Sequence, residues 1–363
     1  MSGKDLMLAA INCEKTSRVP VTPHWWGVYK FQLYGACKGA EDQSKGWNLS
    51  GQGLADVDSF FYERFKPDML HLSTGAWKRQ PGDEQRERAH RELRPAVMEL
   101  TSKRAIDEYV DAVYPSEEEI DASGIYDHVQ ILAQRYGEEA LILLNEGNPV
   151  CGVFENDGPA GDFQESLIAT VEHPENLAYL IWRLHDPRLT SMRVLARKGA
   201  HGYIGSETCV SCDILSPATL RDLVFPAQRR FYTEVERMGL IPAVYYLGEI
   251  MPIIDDIATL GAKALLIEEE KKNYRLDAVE IHDRLKGRMA LFGNLDSVYG
   301  LLYGNPDMIR TETLRQCRCA GSGGFVMACG SPLCFDTPEV NIQTMMEAAR
   351  STQDDPCQSY HGH

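Results

Sequence analysis

The stretch Ile241–Glu270 reads IPAVYYLGEIMPIIDDIATLGAKALLIEEE, and its reading decides the fold. Its first apolar run, Ile241 to Leu247, has the length of a buried strand. A Gly248-Glu249 pair follows, then an amphipathic helical pattern from Pro252 to Leu260. A second apolar run, Ala262 to Ile267, ends in Glu268, Glu269 and Glu270. Strand, helix and strand in this order form a β-α-β unit, which requires a parallel sheet and brings both strand ends to one face. The spacing predicts that Glu249 and the three consecutive glutamates meet at the carboxyl edge of that sheet.

Similar short apolar runs recur on both sides of this unit. They are Val19–Trp25, Met69–Ser73, Ala140–Leu144, His201–Glu207, Met289–Asp296 and Gly323–Ser331, which with the central pair make eight expected strands. Helical patterns separate most of them. One covers Gly3 to Cys13, a second Ser116 to Glu139, and others roughly 160 to 199. Ser216 and Pro217 stand as N-cap and first residue of a helix through Val235, and Thr337-Pro338-Glu339 opens a last helix to Arg350. Residues 38 to 60 show no clear period, and the alternating charges of 76 to 110 read as a solvated excursion. Eight strands alternating with helices predict an α/β fold, a distorted (β/α)8 barrel of the TIM type; a doubly wound sheet is the alternative. The expected organisation is one domain over residues 1–351, with an N-terminal helical and loop extension, an excursion at 76–139 and an unordered tail at 352–363.

Composition narrows the function classes. The chain has 363 residues, of which 44% are apolar and 25% charged, enough to bury a large core. A net charge of −16 excludes nucleic acid and anionic membranes as natural partners, because both reward clustered Lys and Arg. No apolar run approaches membrane-spanning length, and the start, MSGKDLMLAAINCEK, lacks the apolar core of a signal peptide. The ten cysteines are scattered, with Cys209/Cys212 the one C-x-x-C pair, so reduced thiols and a cytoplasmic location are expected.

In a barrel of this kind, residues just past each strand face the open mouth. Here they are His24, Asn145, Glu146, Glu207, Glu249, Glu268 to Glu270, Asn294 and Cys329, with His71 inside the second run. Carboxylates beside His and Cys suit either proton transfer or a divalent metal such as zinc. Each also has a plainer reading: a lone Glu after a strand as solvated rim, His24 and His71 as packed core histidines, Cys329 as a small buried hydrophobe. Four strand ends carrying acid form a stronger signal than any one of them.

The segment FGNLDSVYGLLYGNPDMIRTET, Phe292 to Thr313, resembles the GNLDP segment and following helix of the uroporphyrinogen decarboxylase superfamily. Leu215–Phe231, Tyr245–Leu265 and Gly323–Met345 resemble three further segments of that superfamily, in the same order. The resemblance implies a distorted (β/α)8 barrel. It also separates the chain from true decarboxylases: the place of their arginine-rich segment reads HWWGVYKFQLYG, with Lys30 its one Lys or Arg, and the closing histidine falls at Ser331. The coenzyme M methyltransferases of the superfamily carry zinc on a His-x-Cys and a later Cys. Those places are Tyr245-Tyr246-Leu247 and Ser331 here.

The remaining carboxylates resemble the methyltransferase I components of ether-demethylating systems. That likeness implies a methyltransferase that demethylates a small donor, such as a methoxylated aromatic, and passes the methyl to the cob(I)alamin of a partner corrinoid protein. It implies metal or acid roles for Glu249, Glu207 and Cys329, with zinc as the metal. Substrate contacts fall to His24, Trp25, Trp26, Asn145, Glu146, Tyr245, Tyr246 and Asn294. A homodimer is compatible with this reading, and a decarboxylase acting on a smaller acid is the alternative.

Overall fold

A computed structural model describes residues 1–154, 158–270, 273–285 and 287–354. The tail expected to be unordered falls, from 355 onward, outside the described residues. Among the described residues seven strands pair in parallel and in sequence order: β1 Met69–Ser73, β2 Leu141–Gly147, β3 Gly202–Glu207, β4 Ile241–Tyr246, β5 Ala264–Ile267, β6 Ala290–Phe292 and β7 Phe325–Val326. The expected first strand, Val19–Trp25, is reduced to a single parallel bridge between Val21 and Met327. Pro20 and Pro23 remove ladder donors there, which is why pairing stops after one residue. The segment still spans the gap between the sheet edges: Thr22 N–H donates to Met327 O at 2.9 Å, and Asp68 N–H donates to Val21 O at 3.0 Å. The sheet therefore curls into a barrel whose eighth stave is irregular.

Alternation along each strand sorts the side chains into two cores. Met69, Leu141, Leu143, Ile204, Ala243, Tyr245, Leu266, Phe292 and Val326 fill the lumen. Their neighbours Leu70, Ile142, Leu144, Tyr203, Val244, Tyr246, Leu265 and Ile267 pack outward against the helices. Both faces are buried, which accounts for the continuous apolar runs in the sequence. The helix Gly3–Ile11, held at its start by a Ser2/Asp5 capping box, lays Met7, Ala10 and Ile11 on the lumen residues. It closes the amino-terminal end of the barrel and leaves the carboxyl end for chemistry.

Several helices differ from expectation for identifiable reasons. Residues 76 to 110, expected as a solvated excursion, are largely helical, with Asp83–Met98 and Lys103–Val113 burying only Val97, Ile106, Tyr109 and Val110. Within residues 38 to 60, expected to show no clear period, the helix Gly51–Phe65 begins, N-capped by Ser50. The single helix expected at Ser116–Glu139 breaks at Gly124 into Glu117–Ser123 and Asp127–Tyr136. The helix expected at Pro252–Leu260 shrinks to a 3-10 turn, Met251–Ile253, and one α turn, Ile254–Ile257. The long helix opened by Ser216 runs Pro217–Thr219, passes through a π turn at Leu220–Val224 and continues as Phe225–Arg237. No described helix is long and apolar enough to cross a membrane.

Candidate active site at the carboxyl end of the barrel

The irregular stave places His24 in the lumen beside His71, which alternation aims inward from β1. The two imidazole rings meet edge to face, with centroids 4.9 Å apart, and His24 meets the Tyr245 ring at 5.4 Å. Both histidines are fully buried, and none of their four ring nitrogens has a hydrogen-bond partner among the described residues. Burial keeps both rings neutral at physiological pH, pushing the His24 pKa down to about 3 and His71 well below its usual range. Burying an unpartnered polar atom costs about 1–3 kcal/mol, so a neutral pair retained there is furnished for something that supplies the missing partners. Trp26 has its indole N–H unpartnered as well, and its ring lies 6.4 Å from His71.

Tyr245 reaches across the barrel to the last stave. Its hydroxyl donates to Gly330 O at 2.6 Å and also hydrogen-bonds the Ser331 side chain. Positions 245 and 331, which thiol-activating relatives of the sequence motif would use for zinc, are thus brought together as Tyr and Ser. Cys329 accepts the His24 backbone N–H at 3.1 Å, and burial pushes its thiol up to about 12. The two strand ends are joined through Gly248 and Glu268 rather than through Glu249. Glu268 accepts from the Gly248 N–H at 2.7 Å and from the Tyr274 hydroxyl at 2.6 Å, which ties the β4 loop to the end of β5. Glu269 is buried, and Gly330 lies so close that a Cβ would run into the Glu269 backbone nitrogen and carboxylate. Burial first, then the Glu269 and Glu268 carboxylates, raise the Tyr245 pKa. Glu249, half-buried, donates its N–H to Asp213 Oδ1 at 3.0 Å, and its carbonyl accepts from Cys212 N–H at 2.8 Å.

The other expected site residues divide by strand parity, with Asn145 on the inward face of β2 shared by Leu141 and Leu143. Asn145 accepts from Ser206 Oγ at 2.6 Å, while the Asn294 amide is spent on Glu268 O and Leu276 O, tethering the loop after β5. Trp25 is fully buried against Phe61, with centroids 4.1 Å apart, and Tyr246 donates outward to Gln228 at 2.9 Å; neither lines the mouth. Glu146 and Glu207 share the outward parity of β2 and β3. Glu146 accepts from Tyr126 at 2.6 Å and pairs with Arg188 at 3.4 Å. Glu207 accepts from Asn148 at 2.7 Å and Tyr232 at 3.1 Å, and burial raises its pKa to about 8. The trio Glu249, Glu207 and Cys329 is therefore split among a loop, the sheet–helix layer and the last stave, and does not fit a shared zinc ion. Among the described residues, no three His, Cys, Asp or Glu side chains are placed to hold a metal.

Two features were not legible as site residues. His71 reads as core from its leucine neighbours, and only closure of the barrel sets it against His24. Lys30 is fully buried in an ion pair with Asp58 at 2.8 Å. Its charge nonetheless acts on the lumen, where it adds to burial and to His24 in lowering the His71 pKa.

The uroporphyrinogen decarboxylase (URO-D) family matches residues 2–352. A uroporphyrinogen decarboxylase of Synechococcus sp. is 29% identical over 139 residues, 38% of this chain and 38% of that protein. One of Crocosphaera subtropica is 24% identical over 247 residues, 67% of each. In fold, the chain is similar to a methyltransferase from Methanosarcina mazei, with a TM-score of 0.73 at 17% identity over 97% of this chain and 99% of that one. With the family matched over nearly the whole length and the same barrel found in space, the chain belongs to the uroporphyrinogen decarboxylase family.

Proposed function

We propose that the protein is a methyltransferase that removes a methyl group from a small methylated donor, a methoxylated aromatic or similar ether, and passes it to the cob(I)alamin of a partner corrinoid protein. The observation that carries this reading is the charge character of the barrel mouth. Its inner wall presents neutral groups, His24, His71 and Tyr245, above a rim of acids. Lys30, where decarboxylases carry arginines, is paired with Asp58 inside the protein. A tetrapyrrole with eight carboxylates would need the cationic cradle that this segment lacks. An uncharged ether oxygen needs only neutral donors. The fold likeness to a methyltransferase supports the same choice.

A corrinoid on the partner protein would supply the nucleophile for the methyl carbon, leaving the electron pair of the broken C–O bond on oxygen. The task left to this chain is to hold the ether and to stabilise that developing charge. Each neutral imidazole carries one N–H and one bare nitrogen, so His24 and His71 can donate to the oxygen without adding a fixed charge. Tyr245, held by Gly330 and Ser331, orients the ring pair from the opposite stave. Since Glu249, Glu207 and Cys329 do not converge, no step is assigned to zinc.

The test is incubation of the purified protein with cob(I)alamin and a panel of methoxylated compounds, following the visible spectrum. Appearance of methylcobalamin that is lost in His24→Leu and His71→Leu supports the reading. No conversion with any donor, together with carbon dioxide release from uroporphyrinogen, would replace it with the decarboxylase reading.

A further inference from the structure

A second cavity lies behind β2, on the helix side of the strand. It has a volume of about 170 Å3, and its walls include Trp77, Tyr114, Ile125 and Tyr126, with Glu146 and Arg188 at its polar end. It shares Trp77 and Pro115 with an open surface hollow of about 480 Å3, so a route from solvent exists. Trp77 is anchored at that junction by donating its indole N–H to Asp83 at 3.0 Å.

The polar end is incompletely matched. Arg188 has five N–H donors, and among the described residues its one ion pair is the long contact to Glu146 at 3.4 Å, beyond the usual 2.7–3.2 Å range. Glu146 is already taken at 2.6 Å by the Tyr126 hydroxyl, and burial pushes its carboxyl pKa up against the opposing effects of Arg188 and Tyr126. A guanidinium held by one long contact at the end of an aromatic-walled cavity has N–H donors left for a planar anion, because a carboxylate accepts two parallel N–H bonds in the guanidinium plane. A dry cavity of about 150 Å3 holds a benzene ring, so this one has room for a single ring.

We infer that this cavity is a binding site for single-ring aromatic carboxylates, with the carboxylate on Arg188 and the ring among Trp77, Tyr114 and Tyr126. The site is separate from the lumen histidines, and it stands whether or not the protein transfers methyl groups. Glu146 competes with the ligand for Arg188, so its removal should help binding while removal of Arg188 geometry should harm it.

Calorimetric titration of the full chain with sodium benzoate and, as its uncharged analogue, benzamide tests the proposal. Benzoate should bind saturably and benzamide at least tenfold more weakly. Arg188→Lys should weaken benzoate binding at least tenfold, and Glu146→Gln should strengthen it several-fold. A site that is merely structural would be weakened by both substitutions. Absence of benzoate binding at millimolar concentration, equal binding of benzamide, or weaker binding in Glu146→Gln would each overturn the assignment. Circular dichroism of both variants confirms that the fold is kept.

Discussion

The rings of His24 and His71 stand at 82° to one another in the barrel lumen, contributed by segments 47 positions apart and joined only when the irregular stave closes the sheet. Their neutral state makes stability depend on pH. The unfolded histidines take up protons below about 6.5 while the folded ones refuse them. His128, buried with its Nε2 against Ser73 O, is likewise held down to about 3. Stability should therefore fall as pH drops from about 6.5 toward 3, by up to about 1.4 kcal/mol per pH unit for each such group. Denaturant titrations at pH 7 and pH 5 measure this. His24→Leu and His71→Leu should each flatten the acid limb, and an unchanged limb would show that these rings are protonated in the fold.

Glu207 predicts the opposite slope. Its carboxyl, raised to about 8 against an ordinary value near 4.5, is protonated in the fold while the unfolded chain has already released the proton. Its contribution is full below about 4.5 and is lost as pH rises toward 8, again at about 1.4 kcal/mol per unit. Glu207→Gln keeps an acceptor for Asn148 and Tyr232 and cannot ionise. It should match the parent at pH 5 and exceed it at pH 8. Equal thermal midpoints at both pH values would mean that Glu207 is ionised in place.

The Lys30–Asp58 pair, with both side chains wholly buried, should behave as a unit. Lys30→Met leaves an uncompensated buried acid and should cost about 3–5 kcal/mol. Adding Asp58→Leu should restore most of that loss. A double-mutant cycle by chemical denaturation reads the coupling, and additive losses would place water or another cation beside Asp58.

Gly248 adopts φ +104°, and a Cβ there would run into Ser211 Oγ and Asp213 Oδ1. Gly248→Ala should cost about 1–3 kcal/mol and loosen the Glu268 contact that ties β4 to β5. Amide exchange at Gly248 and Glu249 should accelerate in the variant. Retained protection would show that the loop can absorb the side chain.

Much of the fold was legible because parallel strands buried on both faces write themselves as short apolar runs. The β-α-β unit at Ile241–Glu270, its parallel order and the nearness of the β4 loop to the end of β5 follow from local pattern and chain connectivity. The helix Asp83–Met98 is obscured because it buries a single side chain, whereas Gly51–Phe65 carries Leu54, Val57, Phe61 and Phe65 at helical spacing behind two glycines that weaken the helical signal. Parity was the main thing that pattern left open at the site. Glu207 and Glu146 end their strands as expected, yet the pleat sends both outward, to Tyr232 and to Arg188, while it sends His71 inward.

What the sequence alone determined is thus the alternation of strands and helices, the end of the barrel that carries polar chemistry, and the absence of an arginine-rich anion cradle. These depend on residues near in sequence and on composition. Only the tertiary structure decided which polar groups come into contact. Closure by the Pro20–Thr22 stave, the direction of each pleat and the burial of Lys30 against Asp58 depend on contacts between segments far apart, and a one-residue shift in parity moves a side chain from the lumen to the helix layer.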